Sequence, residues 1–172
     1  MTARRRGMET RRYILSTVAA AASLWIATCA AESSVSSMTT PTADKAAILK
    51  TMSKYEAALN ASSTADVIPL YSEDGVFMPP YKQAAIGTAA LRRAYDAVFE
   101  AITLKVTFNV AEVVEMAPEW AFVRTTSAGT VTVHANEVKS AEANQELFIL
   151  KKGPDGAWRI ARYSFSSTNP PK

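Results

Sequence analysis

GTAALRRAYDAVFEAITLKVTFNV, residues 87–110, changes its hydrophobic period partway along. Leu91, Tyr95, Val98 and Ile102 recur every three or four residues, the spacing of one apolar helix face. From Leu104 the period is two: Leu104, Val106, Phe108 and Val110 alternate with Lys105, Thr107 and Asn109, as along a strand. The junction at Ile102 divides the chain. Helices before it and long alternating strands after it are the order of an α+β domain.

Upstream, Thr42 or Asp44 can cap a helix over 43–61, with Ile48, Met52, Tyr55 and Leu59 as its apolar stripe and Asn60, Ser62 and Ser63 to stop it. Thr64 can open a second, short helix through Tyr71 that buries Val67 and Leu70. Asp74-Gly75 reads as a turn, Val76-Phe77-Met78 as a short strand, and Pro79-Pro80 as its end. Downstream, Trp120, Phe122, Arg124 and Thr126 alternate with Ala121, Val123 and Thr125, and residues 130–134 continue or restart that strand. Residues 144–151 form another strand. Gly153-Pro154-Asp155-Gly156 turns the chain back into a last strand over 157–167. A strongly bent, mostly antiparallel sheet wrapping about three helices makes a cone with an internal cavity.

The chain has 172 residues and a net charge of +3, unevenly placed. Residues 1–31 hold five arginines against Glu9 alone, and the other 14 basic residues face 15 acids. The basic excess therefore belongs to the first 31 residues, and the rest has no charge footprint for nucleic acid. Arg4 to Arg12 followed by uncharged Tyr13–Ala27 and the small residues through Ala31 is the three-part order of a secretory signal peptide. The apolar run of 15 residues is short for a bilayer span. Thr10-Arg11-Arg12-Tyr13-Ile14-Leu15 resembles a twin-arginine signal, and Ile26-Ala27-Thr28-Cys29 a lipoprotein box with Thr28 in an unusual place. Expectation: export to periplasm, envelope or medium, with membrane attachment only if Cys29 is lipidated. Residues 32–42 (ESSVSSMTTPT) read as a tether and 43–168 as one domain. Cys29 is the only cysteine, so an intrachain disulfide is excluded.

Four segments carry a family resemblance. Tyr55-Glu56-Ala57-Ala58-Leu59-Asn60, Leu70 through Pro80 (LYSEDGVFMPP), Glu146 through Lys151 (ELFILK) and Asp155 through Tyr163 (DGAWRIARY) resemble the SnoaL-like branch of the nuclear transport factor 2-like superfamily. Within it they are most similar to bacterial SgcJ/EcaC-family proteins, whose family name carries the word oxidoreductase. The resemblance implies the cone fold over essentially all of the mature domain. It says little about chemistry, because the fold hosts isomerases, cyclases, dehydratases and pure binding modules.

The resemblance also proposes positions. Steroid isomerases of the superfamily use a first-helix tyrosine, a carboxylate base on the first strand and a protonated acid on a later strand. Tyr55 stands at the first, Met78 near the second and Gln145 or Glu146 near the third. A thioether removes no proton, so the isomerase mechanism is not expected as such. Asp74 is a turn-former or a base at the cavity edge. Arg124 shares a face with Trp120 and Phe122. If that face is concave its guanidinium can hold a carboxylate or enolate, and if convex it belongs to a surface pair or dimer face. The cavity is expected to be lined by Tyr55, Phe77, Met78, Tyr81, Trp120, Arg124 and Gln145. His134 is the only histidine, and the sequence holds no nucleophile elbow, dinucleotide fingerprint or Walker loop. No metal or cofactor is expected.

Three functional readings follow. The first is an exported domain that binds a small, largely apolar molecule through Tyr55, Arg124 and Gln145. The second is an enzyme of isomerase or cyclase type, or the oxidoreductase of the family name, acting on a carbonyl compound. There Tyr55 polarises the oxygen, with Asp74 or Glu146 as base. The third is a dimeric assembly module. A homodimer through the convex sheet face is expected throughout.

Overall fold

A computed structural model describes residues 42–169. The segments expected to be a signal peptide (1–31, with Cys29) and a tether (32–41) lie outside the described residues. Helix α1 is Ala43–Asn60, and Thr42 caps it by accepting from the Lys45 amide at 3.0 Å. All four residues of the expected stripe are buried. Helix α2, Thr64–Val67, runs into a tight turn at Ile68–Leu70, where Pro69 lacks the amide that would continue an α-helix. Tyr71, expected in that helix, instead opens strand β1, Tyr71–Met78. Asp74-Gly75 does not end a turn before a short strand. It lies inside β1, where pairing with the last strand shifts register between Tyr71 and Val76.

Strand β2 is Ala85–Ile86 and helix α3 is Thr88–Ala101. Gly87 precedes α3 with φ +78°, a conformation that favours glycine. The period change at Ile102 is a direct helix-to-strand junction: β3 is Ile102–Ala117, β4 Trp120–Val133, β5 Val138–Lys152 and β6 Trp158–Ser167. The order across the sheet is β2-β1-β6-β5-β4-β3, antiparallel except for the β1–β6 pair.

Strand β3 is a sheet edge, and α1 covers it. Asn60 bonds both backbone groups of Val106, donating to its carbonyl and accepting from its amide, each at 2.8 Å. Glu56 accepts from the Phe108 amide at 2.7 Å. Two polar residues of the helix thereby act as a substitute strand on an edge that would otherwise offer open donors. At its start α1 is tied to the far side of the sheet. Asp44 accepts from the Trp158 indole at 2.9 Å and pairs with Lys152 at 2.7 Å. The Lys152 and Trp158 hydrogen bonds hold the Asp44 carboxyl below its ordinary range.

At the middle of the β3–β4 pair Gly129 faces Val106. A Cβ there would lie 2.0 Å from the Lys105 carbonyl oxygen and 2.8 Å from Val106 Cα. Only glycine admits that approach.

Candidate functional site

Alternation decides what faces the helices. Val123, Thr125 and Ser127 of β4, Phe148, Glu146 and Asn144 of β5, and Tyr163 of β6 are buried, while their sequence neighbours Arg124, Thr126, Gln145 and Leu147 are exposed. Of the buried set, Ser127, Asn144, Glu146 and Tyr163 line a cavity of about 600 Å³ between the sheet, α1 and α3. Its deep wall is aromatic. Tyr55, Tyr95, Phe77, Phe108, Tyr163 and Phe165 line it, with the Phe77 and Tyr163 rings stacked at 5.4 Å.

Three tyrosines form a relay beneath it. The Tyr95 hydroxyl bonds Tyr55 at 2.6 Å and Tyr71 at 2.7 Å. Burial pushes all three hydroxyls above the ordinary phenol range, so they remain protonated and able to donate. Three O–H groups joined by two hydrogen bonds use two of their three protons, leaving one free on Tyr55, on Tyr71 or, when both of those donate to it, on Tyr95. Of the three, Tyr55 and Tyr95 line the cavity and Tyr71 does not.

Two carboxyl groups line the wall, those of Glu142 and Glu146, and Glu146 is the buried one. Glu146 is 3% exposed and accepts from the hydroxyls of Thr125 and Ser127, its partners on β4. Burial raises its pKa, and the neighbouring Glu142 charge adds to this, against the two hydroxyl bonds that favour the ionised form. Burial, and then the Glu146 charge, raise the pKa of the Tyr163 hydroxyl as well. A protonated phenol at the base and a carboxyl group with raised pKa on the wall are what an acid–base pair requires.

The sequence-derived site is only half assembled. Tyr55 and Phe77 line the cavity. Met78, the next residue along β1, points outward and is 38% exposed, and Tyr81 is fully exposed with φ +61°. Arg124 lies on the convex face, where its Nε meets Glu112 at 2.6 Å. Trp120 shares that face and carries the Lys151 ammonium 5.4 Å from its ring. Gln145 is there too, donating to Ser166 at 3.0 Å. The physical reason is parity: one residue of offset along a strand moves a side chain to the other side of the sheet. Asp74 is exposed, with a carboxylate oxygen 3.8 Å from Arg162, in a surface groove with Glu73, Lys151 and Asp155. A bond to Ser72 lowers its pKa, away from the range of a base near neutrality. Between Gln145 and Glu146, the cavity receives Glu146.

Sequence reasoning did not pick out Tyr95, Tyr71 or Tyr163 as functional, though each occupies an apolar position that a phenylalanine would fill. His134 is structural. Its Nδ1 lies 2.7 Å from the Glu100 carbonyl and its Nε2 lies 2.8 Å from the Thr103 hydroxyl. Among the described residues no group of three His, Cys, Asp or Glu could hold a metal ion, and no helix is long and apolar enough to cross a membrane.

Solved structures share this architecture. The chain is similar to a ketosteroid isomerase-like protein from Erwinia carotovora atroseptica, with 37% identity and TM-score 0.73 over 75% of this chain and 99% of that one. A proposed scytalone dehydratase from Novosphingobium aromaticivorans is 16% identical, with TM-score 0.63 over 73% and 85%. A type 2 hexachlorocyclohexane dehydrochlorinase is 10% identical, with TM-score 0.65 over 74% and 86%; these two show the fold alone. No family model matches the chain, and no curated protein does.

Proposed function

The chain belongs to the SnoaL-like, nuclear transport factor 2-like superfamily, and from that premise we propose that it binds a small, largely apolar molecule whose oxygen acceptor meets Tyr55. The observation that carries this is the tyrosine relay. Its two hydrogen bonds leave one O–H proton free, and two of its three hydroxyls, those of Tyr55 and Tyr95, belong to residues that line the cavity. A donor already held by a hydrogen-bonded neighbour, which is itself held by another, costs little to orient when a ligand arrives. Native mass spectrometry of the purified protein tests for a co-purified molecule. For any such ligand, Tyr55→Phe is expected to weaken binding about 2- to 12-fold, one neutral hydrogen bond's worth. Unchanged affinity removes Tyr55 from the site.

Glu146 favours a second reading, proton transfer on a carbonyl substrate. With Asp74 on the surface and Met78 facing outward, β1 offers the cavity no base. Glu146 would move the proton while Tyr55 stabilises the developing oxyanion. The assay is deuterium incorporation next to the carbonyl of a bound ketone, expected to fall in both Tyr55→Phe and Glu146→Gln.

Export is part of the proposal. N-terminal sequencing of mature protein should begin near residue 32, and cytosolic protein starting at Met1 or Met8 contradicts it. So is a homodimer through the convex face, supported by the exposure there of Leu147 (47%) and Val114 (38%).

A further inference from the structure

Inward positions on β5 alternate as Glu142, Asn144, Glu146 and Phe148. The first three are polar and supply mostly acceptors. Asn144 is 8% exposed, and its Oδ1 is the one buried side-chain polar atom among the described residues that has no hydrogen-bond partner. Its amide orientation follows from its neighbour, because Nδ2 donates to Glu142 Oε1 at 2.8 Å. Turning the amide over would set Oδ1 against a carboxylate oxygen. Nearby hydroxyls cannot serve Oδ1, since Ser127 and Thr125 both donate to Glu146. Neither Glu142 nor Glu146 takes part in an ion pair among the described residues. Lys82 and Arg93, the cations of the cavity lining, are exposed side chains at its mouth.

An unpartnered buried acceptor between two carboxyl groups on a cavity wall calls for a donor from the ligand. A hydroxyl brings one proton. An ammonium brings up to three, and a charge that suits both acids. We propose that Asn144, with Glu142 and Glu146, binds the protonated amine of the ligand, making the occupant an apolar amine rather than a neutral alcohol or an acid. This rests on the reading of the cone as a small-molecule site. Asn144 stands four residues from Phe148, whose ring is 5.5 Å from Tyr55. At about 3.3 Å per residue the amine lies roughly 13 Å along the strand from the tyrosine end. The ligand's acceptor and donor thus sit at opposite ends of an apolar body.

The test uses one bicyclic skeleton in three forms, naphthylmethylamine, naphthylmethanol and naphthoic acid, titrated calorimetrically into the purified protein. The amine is expected to bind about tenfold more tightly than the alcohol, and the acid most weakly, as charge-assisted bonds exceed neutral ones. Asn144→Leu should remove most of that preference. Asn144→Asp keeps the acceptor, adds charge and should widen the preference, giving a second reading should the leucine variant not fold. Equal or tighter binding of the alcohol or acid overturns the inference and leaves the cavity reading standing. An amine preference that survives in Asn144→Leu also overturns it. If none of the three binds, both readings fall.

Discussion

Removal of one oxygen, in Tyr95→Phe, tests the tyrosine relay most directly. The ring packing is kept: Tyr95 stacks on Phe77 at 5.1 Å, an interaction phenylalanine reproduces. What is lost is a hydroxyl shared by two neighbours, at 2.6 Å and 2.7 Å. Two neutral bonds are together worth about 1–3 kcal/mol net. The Tyr71 hydroxyl, off the cavity and in a residue 4% exposed, is then stranded. A buried, unsatisfied hydroxyl adds about 1–3 kcal/mol, whereas that of Tyr55 can turn to the cavity. The expected total is about 3 kcal/mol, or about 10 °C in melting temperature for a domain of this size. Tyr71→Phe removes only an end of the chain and should cost about 0.5–1.5 kcal/mol, because Tyr95 keeps Tyr55. Urea unfolding of both single variants and the double variant closes the cycle. The double should cost less than the sum of the singles, since with Tyr71 already phenylalanine nothing is stranded. Tyr95→Phe no costlier than Tyr71→Phe, or strictly additive costs, would refute the relay.

Other expectations follow from single contacts. Because burial raises the Glu146 pKa, its protonated form is favoured by folding; that stability is present below the ordinary carboxylate range and lost as pH rises through the raised value. Glu146→Gln should therefore gain on the wild type as pH rises above the ordinary carboxylate range in thermal melts, and a constant difference would contradict the assignment. Gly129→Ala drives a Cβ against the Lys105 carbonyl and should cost about 1–3 kcal/mol by chemical denaturation, while unchanged stability would mean the strands part freely. Leu147→Glu puts a charge on the proposed dimer face and should give monomer by light scattering with unchanged circular dichroism. A wild type already monomeric at micromolar concentration removes that face as an interface.

The fold was legible because its decisive signal is local. The change from helical to alternating spacing at Ile102 needs no knowledge of the rest of the molecule, and neither does the stripe of α1. Glu56 was legible only as part of a resemblance, and Asn60 as that and as a helix stop. Their work, covering the Val106 and Phe108 backbone, joins residues 46 and 52 positions apart and has no local signature. The shift inside β1 was illegible for a related reason. Asp74-Gly75 has turn chemistry, and pairing with β6 keeps it in a strand.

The site was half legible because its errors share one cause. In a sheet, the face chosen by one residue fixes the faces of its cross-strand partners. Phe77 pairs with Tyr163, Tyr163 with Phe148, and Phe148 with Val123, so placing Phe77 in the cavity commits all four. Two residues along, the same register carries Glu146 and Thr125 inward, and Gln145 with Thr126 outward. Arg124 and Trp120 go outward with them by alternation. Choosing Phe77 together with Met78, or Phe77 together with Arg124 and Gln145, thus assigned both faces of one sheet to one cavity. The large aromatic Trp120 and Phe122 drew the choice, while the other face of the strand carries the smaller Ala121, Thr125 and Ser127, of which Ser127 lines the cavity. Bulk on one face of a strand is an ambiguous guide where the opposite face encloses a hollow. Had the strand pairing been imposed on the candidate residues, Phe77 alone would have selected Glu146 over Gln145.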